Sequence, residues 1–287
     1  MNLFANTKGL DYELLDSGNG RKLERFGTYI LDRPEVEAYS SKKQPEIWFQ
    51  ADYRFEQTSP SSGTWHYNDA LSDNWLIDYK VGNKSLKFKL ELSKFKHIGL
   101  FPEQAENWRY LHDAIQKIDD CRFLNLFAYT SAASIVAASA GADVTNVEAL
   151  KQLSNWSKDN ASLNKIENVR WLVEDARSFV KRAIRRGDKF NGVILDPPAF
   201  GHGSKGKRWI LERHLEELIE DVSKILVPKE FFVIINTYSP KLPEKALLEI
   251  LQEHLPGNSK IKIDQLSLKN ESGASFTTGN LARITSL

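Results

Sequence analysis

The chain is poor in cysteine. A single residue, Cys121, stands among 287, so no intrachain disulfide and no thiolate metal cluster is available, which fits a reducing compartment. No metal is expected. There is no run of 18 apolar residues, so no membrane-spanning helix is expected. Residues 1–10 lack the basic start and apolar stretch of a secretory leader, and a cytoplasmic location is the expectation. Charge of one sign is missing too: 39 Lys and Arg face 38 Asp and Glu, giving a net charge of +1 and no global field toward a polyanion. Cations are instead clustered locally, at Lys80, Lys84, Lys87, Lys89, Lys94 and Lys96, at Arg177, Lys181, Arg182, Arg185 and Arg186, and at Lys205, Lys207 and Arg208. Each cluster is either a solvated face or part of a phosphate-binding patch.

What is present divides near residue 97. Before it, aromatics and turn residues are dense, with Trp48, Phe49, Tyr53, Phe55, Trp65, Tyr67, Trp75 and Tyr79 close together. Residues 85–92 alternate with period two, and Asp16-Ser17-Gly18-Asn19-Gly20 reads as a hairpin turn. Residues 1–96 are therefore expected to form a small antiparallel β-rich region. Its aromatics are either core or, if exposed, a surface for stacking bases.

From 97 to 287 strands and helices alternate. Strands are expected at 122–126, 143–147, 169–173, 190–195 and 231–236. Helices are expected at 102–118, 132–140, 150–163, 176–186, about 211–225 and 244–254. Two final strands, 260–268 and 280–286, are joined by turns at Gly273 and Gly279. Repeated βα units predict a Rossmann-like doubly wound α/β domain, mostly parallel with the last strand antiparallel.

Ligands of such sheets bind at the carboxyl ends of the strands, and four strand ends there carry suitable residues. Phe127-Ala128-Tyr129-Thr130-Ser131-Ala132-Ala133-Ser134 follows the first strand with small residues but no G-x-G-x-x-G, which disfavours NAD and FAD. Glu148 ends the second strand, placed to accept hydrogen bonds from ribose hydroxyls. Asp175 follows the third and suits an adenine amino group, the cap of the next helix, or both. Asp196-Pro197-Pro198-Ala199-Phe200 follows the fourth. Proline fixes φ and donates no N–H, so this is either a plain strand stop or a rigid lip with free carbonyls and a stacking face at Phe200. The set suits an adenosine-containing ligand and a planar acceptor.

With these motifs the chain resembles the class I S-adenosylmethionine-dependent methyltransferases. Among them it is similar to the bacterial group that includes the large-subunit ribosomal RNA enzymes. The likeness rests on Leu124-Asn125-Leu126-Phe127-Ala128-Tyr129-Thr130, Asn160-Ala161-Ser162-Leu163-Asn164, Glu174-Asp175-Ala176, Asp196-Pro197-Pro198-Ala199-Phe200 and the tail from Lys205-Gly206, over residues 97–240. It implies S-adenosylmethionine as cofactor, held by Asn125, Phe127, Ala128, Tyr129, Thr130, Ser131, Glu148, Asp175, Ala176 and Asp196. Gly99-Leu100-Phe101-Pro102-Glu103-Gln104 resembles the segment that lies against the methionine end, which adds Phe101 and Gln104. Two positions depart from the group's pattern: Ser131 stands where it has glycine, and Glu148 where aspartate is usual.

The acceptor end is expected at Asp196, Pro197, Pro198 and Phe200. Carbon-5 of a pyrimidine needs a cysteine nucleophile, and Cys121 precedes the first strand, at the wrong edge of the sheet. A base nitrogen needs only acceptors, a stacking face and an unstacked substrate, with Tyr129 and His202 as secondary contacts. Lys205, Lys207 and Arg208 are placed to hold a phosphate beside it. The expected function is methylation of an RNA base nitrogen, with ribosomal RNA as partner. The alternatives are a methyltransferase for a small molecule or protein, a non-catalytic binder of cofactor or RNA, and, more remotely, a nicotinamide dehydrogenase.

Overall fold

The computed structural model describes residues 2–59, 62–202 and 208–287. They fall into two compact units: Asn2–Glu106 with Leu266–Thr278, and Asn107–Gln265 with Gly279–Leu287.

In the first unit the strands are β1 (Asn2–Phe4), β2 (Tyr12–Gly18), β3 (Arg21–Phe26), β4 (Tyr29–Pro34), β5 (Tyr53–Ser59), β6 (Ser62–Tyr67), β7 (Asn74–Val81) and β8 (Lys84–Glu91). Strands β2 to β6 form a sheet in sequence order, and β7 pairs with β8. The β2–β3 turn has positive φ at both Asn19 (53°) and Gly20 (74°), the combination that matches the twist of a tight hairpin. One pairing departs from the antiparallel expectation. β4 and β5 are parallel at Leu31↔Tyr53, because the connection between them is long and carries a 3₁₀ helix at Pro45–Gln50. The dense aromatics are mainly core. Trp48, Tyr53, Phe55 and Tyr79 are buried, and Tyr53 stacks on Trp75 at 5.5 Å; of the eight, Phe49 alone is exposed.

The second unit follows the βα order read from the sequence. Helix α1 (Ala105–Ile115) begins in the first unit and leads to β9 (Arg122–Leu126), α2 (Ala132–Ser139), β10 (Asp143–Glu148), α3 (Lys151–Leu163) and β11 (Val169–Val173). Then come α4 (Ala176–Arg186), β12 (Gly192–Leu195), β13 (Phe200–His202), β14 (Arg208–Ile210), α5 (Leu211–Ser223), β15 (Phe232–Thr237), α6 (Glu244–His254), β16 (Lys260–Lys269) and β17 (Ser275–Thr285). The sheet order is β16-β17-β15-β12-β9-β10-β11, parallel from β15 to β11, with β17 antiparallel to β15. The distal part of the β16–β17 hairpin belongs to the first unit, where β16 neighbours β1.

The chain winds outward from β9 through β10 to β11, then returns to β12 on the other side of β9. Right-handed crossovers running in opposite directions place their helices on opposite faces. Accordingly α2 packs with α3, while α4, α5 and α6 pack together over a core of Phe179, Val193, Leu215, Leu218, Leu247 and Leu251. The reversal between β9 and β12 is a topological switch point, the place where such sheets open a ligand crevice. Leu126 lies level with both Val147 and Leu195, so Phe127, Glu148 and Asp196 emerge at one edge.

Two glycines are dictated by packing. A Cβ on Gly192 would sit 2.4 Å from the Phe232 ring and 2.7 Å from Phe123, so β12 fits between these rings only without a side chain. Gly279 lies inside β17 rather than in a turn. It is the point of close approach to β15, where a Cβ would fall 2.4 Å from the Thr237 carbonyl oxygen; the hairpin turn is at Gly273 (φ 86°). Among the described residues no helix is long and apolar enough to cross a membrane.

Candidate active site

The loop after β9 is built against the ordinary preferences of its residues. Phe127, Tyr129 and Ser131 have φ of 58°, 53° and 68°, a left-handed conformation that costs a non-glycine residue about 1–2 kcal/mol. Such strain persists only where surrounding structure holds it, and here the holders are visible. The Tyr129 N–H donates to Glu148 Oε2 (2.9 Å), and the Ser157 hydroxyl, from α3, donates to the Tyr129 carbonyl (3.1 Å). Asn160, also on α3, donates to the Thr130 carbonyl (3.1 Å), and the Ser131 and Ser157 hydroxyls lie 2.7 Å apart. Beneath the loop, Asn125 donates to Ser134 (3.0 Å) and Ser134 to Asn146 (2.6 Å). Ala128, Thr130, Ser131 and Asn125 are buried, while Phe127 and Tyr129 are half-buried. Ser131 thus occupies a position whose backbone favours glycine, with its hydroxyl taken into this network.

Glu148 is buried at the end of β10. It accepts N–H groups from Tyr129 and Leu150, both at 2.9 Å. Burial pushes its carboxyl above the usual range, and the backbone donors pull it back. A carboxylate anchored by amides has fixed orientation, with lone pairs left over for further donors. Beside it Leu150 and Val173 are exposed apolar side chains, 51% and 49% accessible, at the same sheet edge. Asp175 Oδ1 accepts both the N–H (3.0 Å) and the hydroxyl (2.8 Å) of Ser178, so it caps α4, whose first residue is the buried Ala176.

The lip after β12 is held differently. Asp196 is half-buried, with Oδ1 sealed from solvent. Desolvation pushes its carboxyl up to about 6, against a hydrogen bond from Tyr238 that lowers it. Pro197 is buried, and Pro198 accepts the indole N–H of Trp209 at 2.7 Å. Trp209 is itself buried, its ring 4.9 Å from that of Phe127. Phe200 is 47% exposed, and the Arg208 guanidinium lies 4.9 Å from its ring centroid.

The structure therefore gathers Phe127, Ala128, Tyr129, Thr130, Ser131, Glu148, Asp175, Ala176 and the 196–200 lip at one sheet edge, with Asn125 beneath. Phe101 and Gln104 lie in the first unit, where Phe101 packs 5.1 Å from His97 and Gln104 is buried. Lys205 and Lys207 lie outside the described residues. Arg208 is stacked on Phe200. Of the 177–186 cluster, Arg177 and Lys181 pair with Glu217 and Arg182 with Glu174, which makes that part a salt-bridged face. Cys121 is buried at the amino edge, its thiol pushed up to about 12 by burial, far from the state in which sulfur attacks. Sequence reasoning missed Ser157, Trp209 and Tyr238, each reaching the site from a separate element; only Asn160 carried a motif signal.

Comparisons with known proteins agree with this geometry. The S-adenosylmethionine-dependent methyltransferase model matches residues 13–259. A solved SAM-dependent methyltransferase from Agrobacterium tumefaciens is 32% identical, with a TM-score of 0.93, covering 99% of this chain and 93% of that one. A structure described as a methyltransferase complexed with SAH shares the fold at 19% identity, TM-score 0.75, over 96% of this chain and 76% of that one. Among curated proteins, the ribosomal RNA large subunit methyltransferase K/L of Pseudoalteromonas translucida is 34% identical over 52% of this chain and 21% of its own length. The ribosomal RNA large subunit methyltransferase K of Neisseria meningitidis serogroup B is 28% identical over 73% and 60%. The chain thus spans about a fifth of the first of these relatives and less than two thirds of the second. With its fold, the geometry of its strand ends and the family match in agreement, the chain belongs to the S-adenosylmethionine-dependent methyltransferases.

Proposed function

We infer that the enzyme methylates a base nitrogen in RNA, with large-subunit ribosomal RNA as the first candidate. The observation that carries this reading is the lip: a half-buried carboxylate, a proline pair and a half-exposed aromatic ring beside the switch-point loop, with the lone thiol inert at the opposite edge. The cofactor supplies an electrophilic methyl group with its own leaving group, so the protein's task is mainly alignment.

The donor set fits that cofactor. Glu148, oriented by two backbone amides, accepts the ribose hydroxyls. Leu150 and Val173 offer apolar surface for the adenine ring, and Asp175, after using Oδ1 in the cap, retains acceptor capacity for the adenine amino group. On the acceptor side, Phe200 stacks an unstacked base, while ionised Asp196 and the Pro197 carbonyl accept hydrogen bonds from its amino group. This turns the nitrogen lone pair toward the methyl carbon, and Asp196 takes up or relays the released proton. A base presented in this way must leave its stack, so single-stranded or looped RNA is the substrate form. A ribosomal substrate places the enzyme in the cytoplasm.

Incubation with radiolabelled S-adenosylmethionine and separated total RNA, ribosomal subunits and protein tests the reading. Label is expected in RNA, at a nitrogen after nucleoside digestion. Label in protein alone, or at carbon-5 of a pyrimidine, would overturn it.

A further inference from the structure

We propose that Trp209 is a positioning residue that mechanically links the cofactor loop to the acceptor lip, an inference that rests on the reading of 196–200 as the acceptor end. The two ligand-facing segments leave different strands, β9 and β12, and one buried indole touches both. Its N–H holds the Pro198 carbonyl at 2.7 Å, and its ring leans on Phe127 at 4.9 Å with a 56° tilt. Phe127 is the first of the three left-handed residues of the cofactor loop, so a shift of that loop is transmitted to the ring packed against it.

The indole is itself braced. Trp209 sits on the two-stranded ribbon β13–β14 opposite Gly201, where no side chain competes for space. His214, one turn into α5, lies 5.6 Å from it ring to ring and accepts the Ile210 N–H (3.0 Å), while the Leu211 N–H closes on the Ala199 carbonyl (3.0 Å). Alternation along the ribbon sends Phe200 and Arg208 to the face opposite Trp209. The inner face therefore sets the position of the lip, and the outer face presents the stacking ring with one side already covered by a guanidinium.

The clamp also fixes a carbonyl: the indole takes one of the two lone pairs of the Pro198 oxygen, which holds the orientation of the peptide unit that follows Pro198. Displacing the lip changes transfer geometry more than cofactor affinity, since misplacement of about 1 Å is enough to cost about a hundredfold in rate.

Two measurements test this. The enzyme is labelled with 5-fluorotryptophan, and the Trp209 signal is identified by its loss in Trp209→Phe. Saturating S-adenosylhomocysteine is expected to move that signal, and Phe127→Leu to diminish the movement while the same ligand still binds by calorimetry. An unmoved signal at saturation overturns the link. In the second measurement, methyl transfer to protein-free large ribosomal RNA is followed in Trp209→Phe, which keeps an aromatic ring against Phe127 but loses the N–H and part of the ring volume. Turnover is expected to fall at least about tenfold, with cofactor affinity and melting temperature near those of the parent, whereas Trp209→Ala weakens both turnover and cofactor affinity. Full turnover in Trp209→Phe overturns the inference, as does a loss matched by equal losses of cofactor affinity and melting temperature, which marks a purely structural role. Asp196→Ala and Phe200→Ala separate the two levels. If both remain active, the lip reading itself fails; if both are inactive while Trp209→Phe is fully active, only the link fails. If the parent labels neither this RNA nor ribosomal subunits, the RNA reading fails and the fluorine signal still decides the link.

Discussion

The two loops that flank the switch point, 127–131 after β9 and 196–200 after β12, lie at one sheet edge and are rigid for different reasons. The first is a strained backbone held by many partners: Glu148 on one amide, Ser157 and Asn160 on two carbonyls, and a serine pair at its end. The second is stiff by covalent structure, with φ fixed at two consecutive prolines, and it is tethered by the Trp209 indole on Pro198 and by Tyr238 on Asp196. Their carboxylates differ in the same sense. Glu148 is oriented by backbone amides that pull its pKa back toward ordinary values, whereas Asp196 has a tyrosine hydrogen bond against desolvation and is pushed up to about 6. In the proposed reaction the contrast fits a division of labour: a fixed acceptor for a cofactor that is the same in every turnover, and a carboxylate raised to about 6 where a proton is released.

Breaking the comparison at its strongest point gives the largest effect. Asp196→Ala is expected to lower turnover by about 10²–10³-fold while cofactor affinity stays within a few-fold, as read by labelled methyl transfer and calorimetry. Glu148→Gln should do the reverse. A neutral amide offers one acceptor oxygen where two N–H groups and the ribose need several, so cofactor Kd rises by about ten- to a hundredfold with a smaller change in turnover at saturation. Equal effects of the two substitutions on Kd would erase the proposed division.

The support under the first loop comes next. Asn160→Ala leaves the buried Thr130 carbonyl without its side-chain donor and is expected to cost about 1–3 kcal/mol in denaturant unfolding, with weaker cofactor binding.

The acids also separate by pH. The folded-state pKa of Asp196, about 6, lies above its ordinary 3.8, so the folded chain binds this proton more tightly than the unfolded chain. Its contribution to stability is therefore most favourable at low pH and declines as pH rises from about 4 to about 6. Asp196→Asn should raise the melting temperature by a few degrees at pH 8, with the difference closing toward pH 4, and parent turnover should fall as pH drops below about 6. A difference in melting temperature that does not vary with pH would break this account.

The smallest effect is expected at Ser131→Gly. Relief of left-handed strain, about 1–2 kcal/mol, is offset by loss of the Ser157 contact and by the greater freedom of glycine in the unfolded chain, each about 0.5–1 kcal/mol. Melting temperature and cofactor affinity should both stay close to the parent's. A large gain in affinity would show that Ser131 crowds the cofactor.

Much of the second unit was legible because its signals are local. The α4 range of 176–186 follows from apolar spacing and the Asp175 cap, and the parallel strands follow from short apolar runs between helices. Gly279 misled because a glycine late in a chain reads as a turn, whereas its need arises from β15 across the sheet. The β4–β5 pairing also eluded the sequence, since parallel contact between strands separated by a long connection leaves no local periodicity. At the candidate site, the residues immediately after strands and Asn160 on α3 were legible, whereas Ser157, Trp209 and Tyr238, reaching it from other elements, were not. The Arg177, Lys181 and Arg182 cations, plausible as a patch in one dimension, meet Glu217 and Glu174 in three.

The sequence by itself determined the βα succession, the acids and prolines at the strand ends, and the absence of a usable thiol at that edge, because each depends on residues within one turn or one strand. Only the tertiary structure decided that Phe127, Tyr129 and Ser131 are left-handed without glycine, that one proline carbonyl accepts an indole N–H and that burial raises the Asp196 carboxyl to about 6. Those properties depend on partners brought from distant elements and on the exclusion of water around a carboxylate, and neither is encoded in any short stretch of chain.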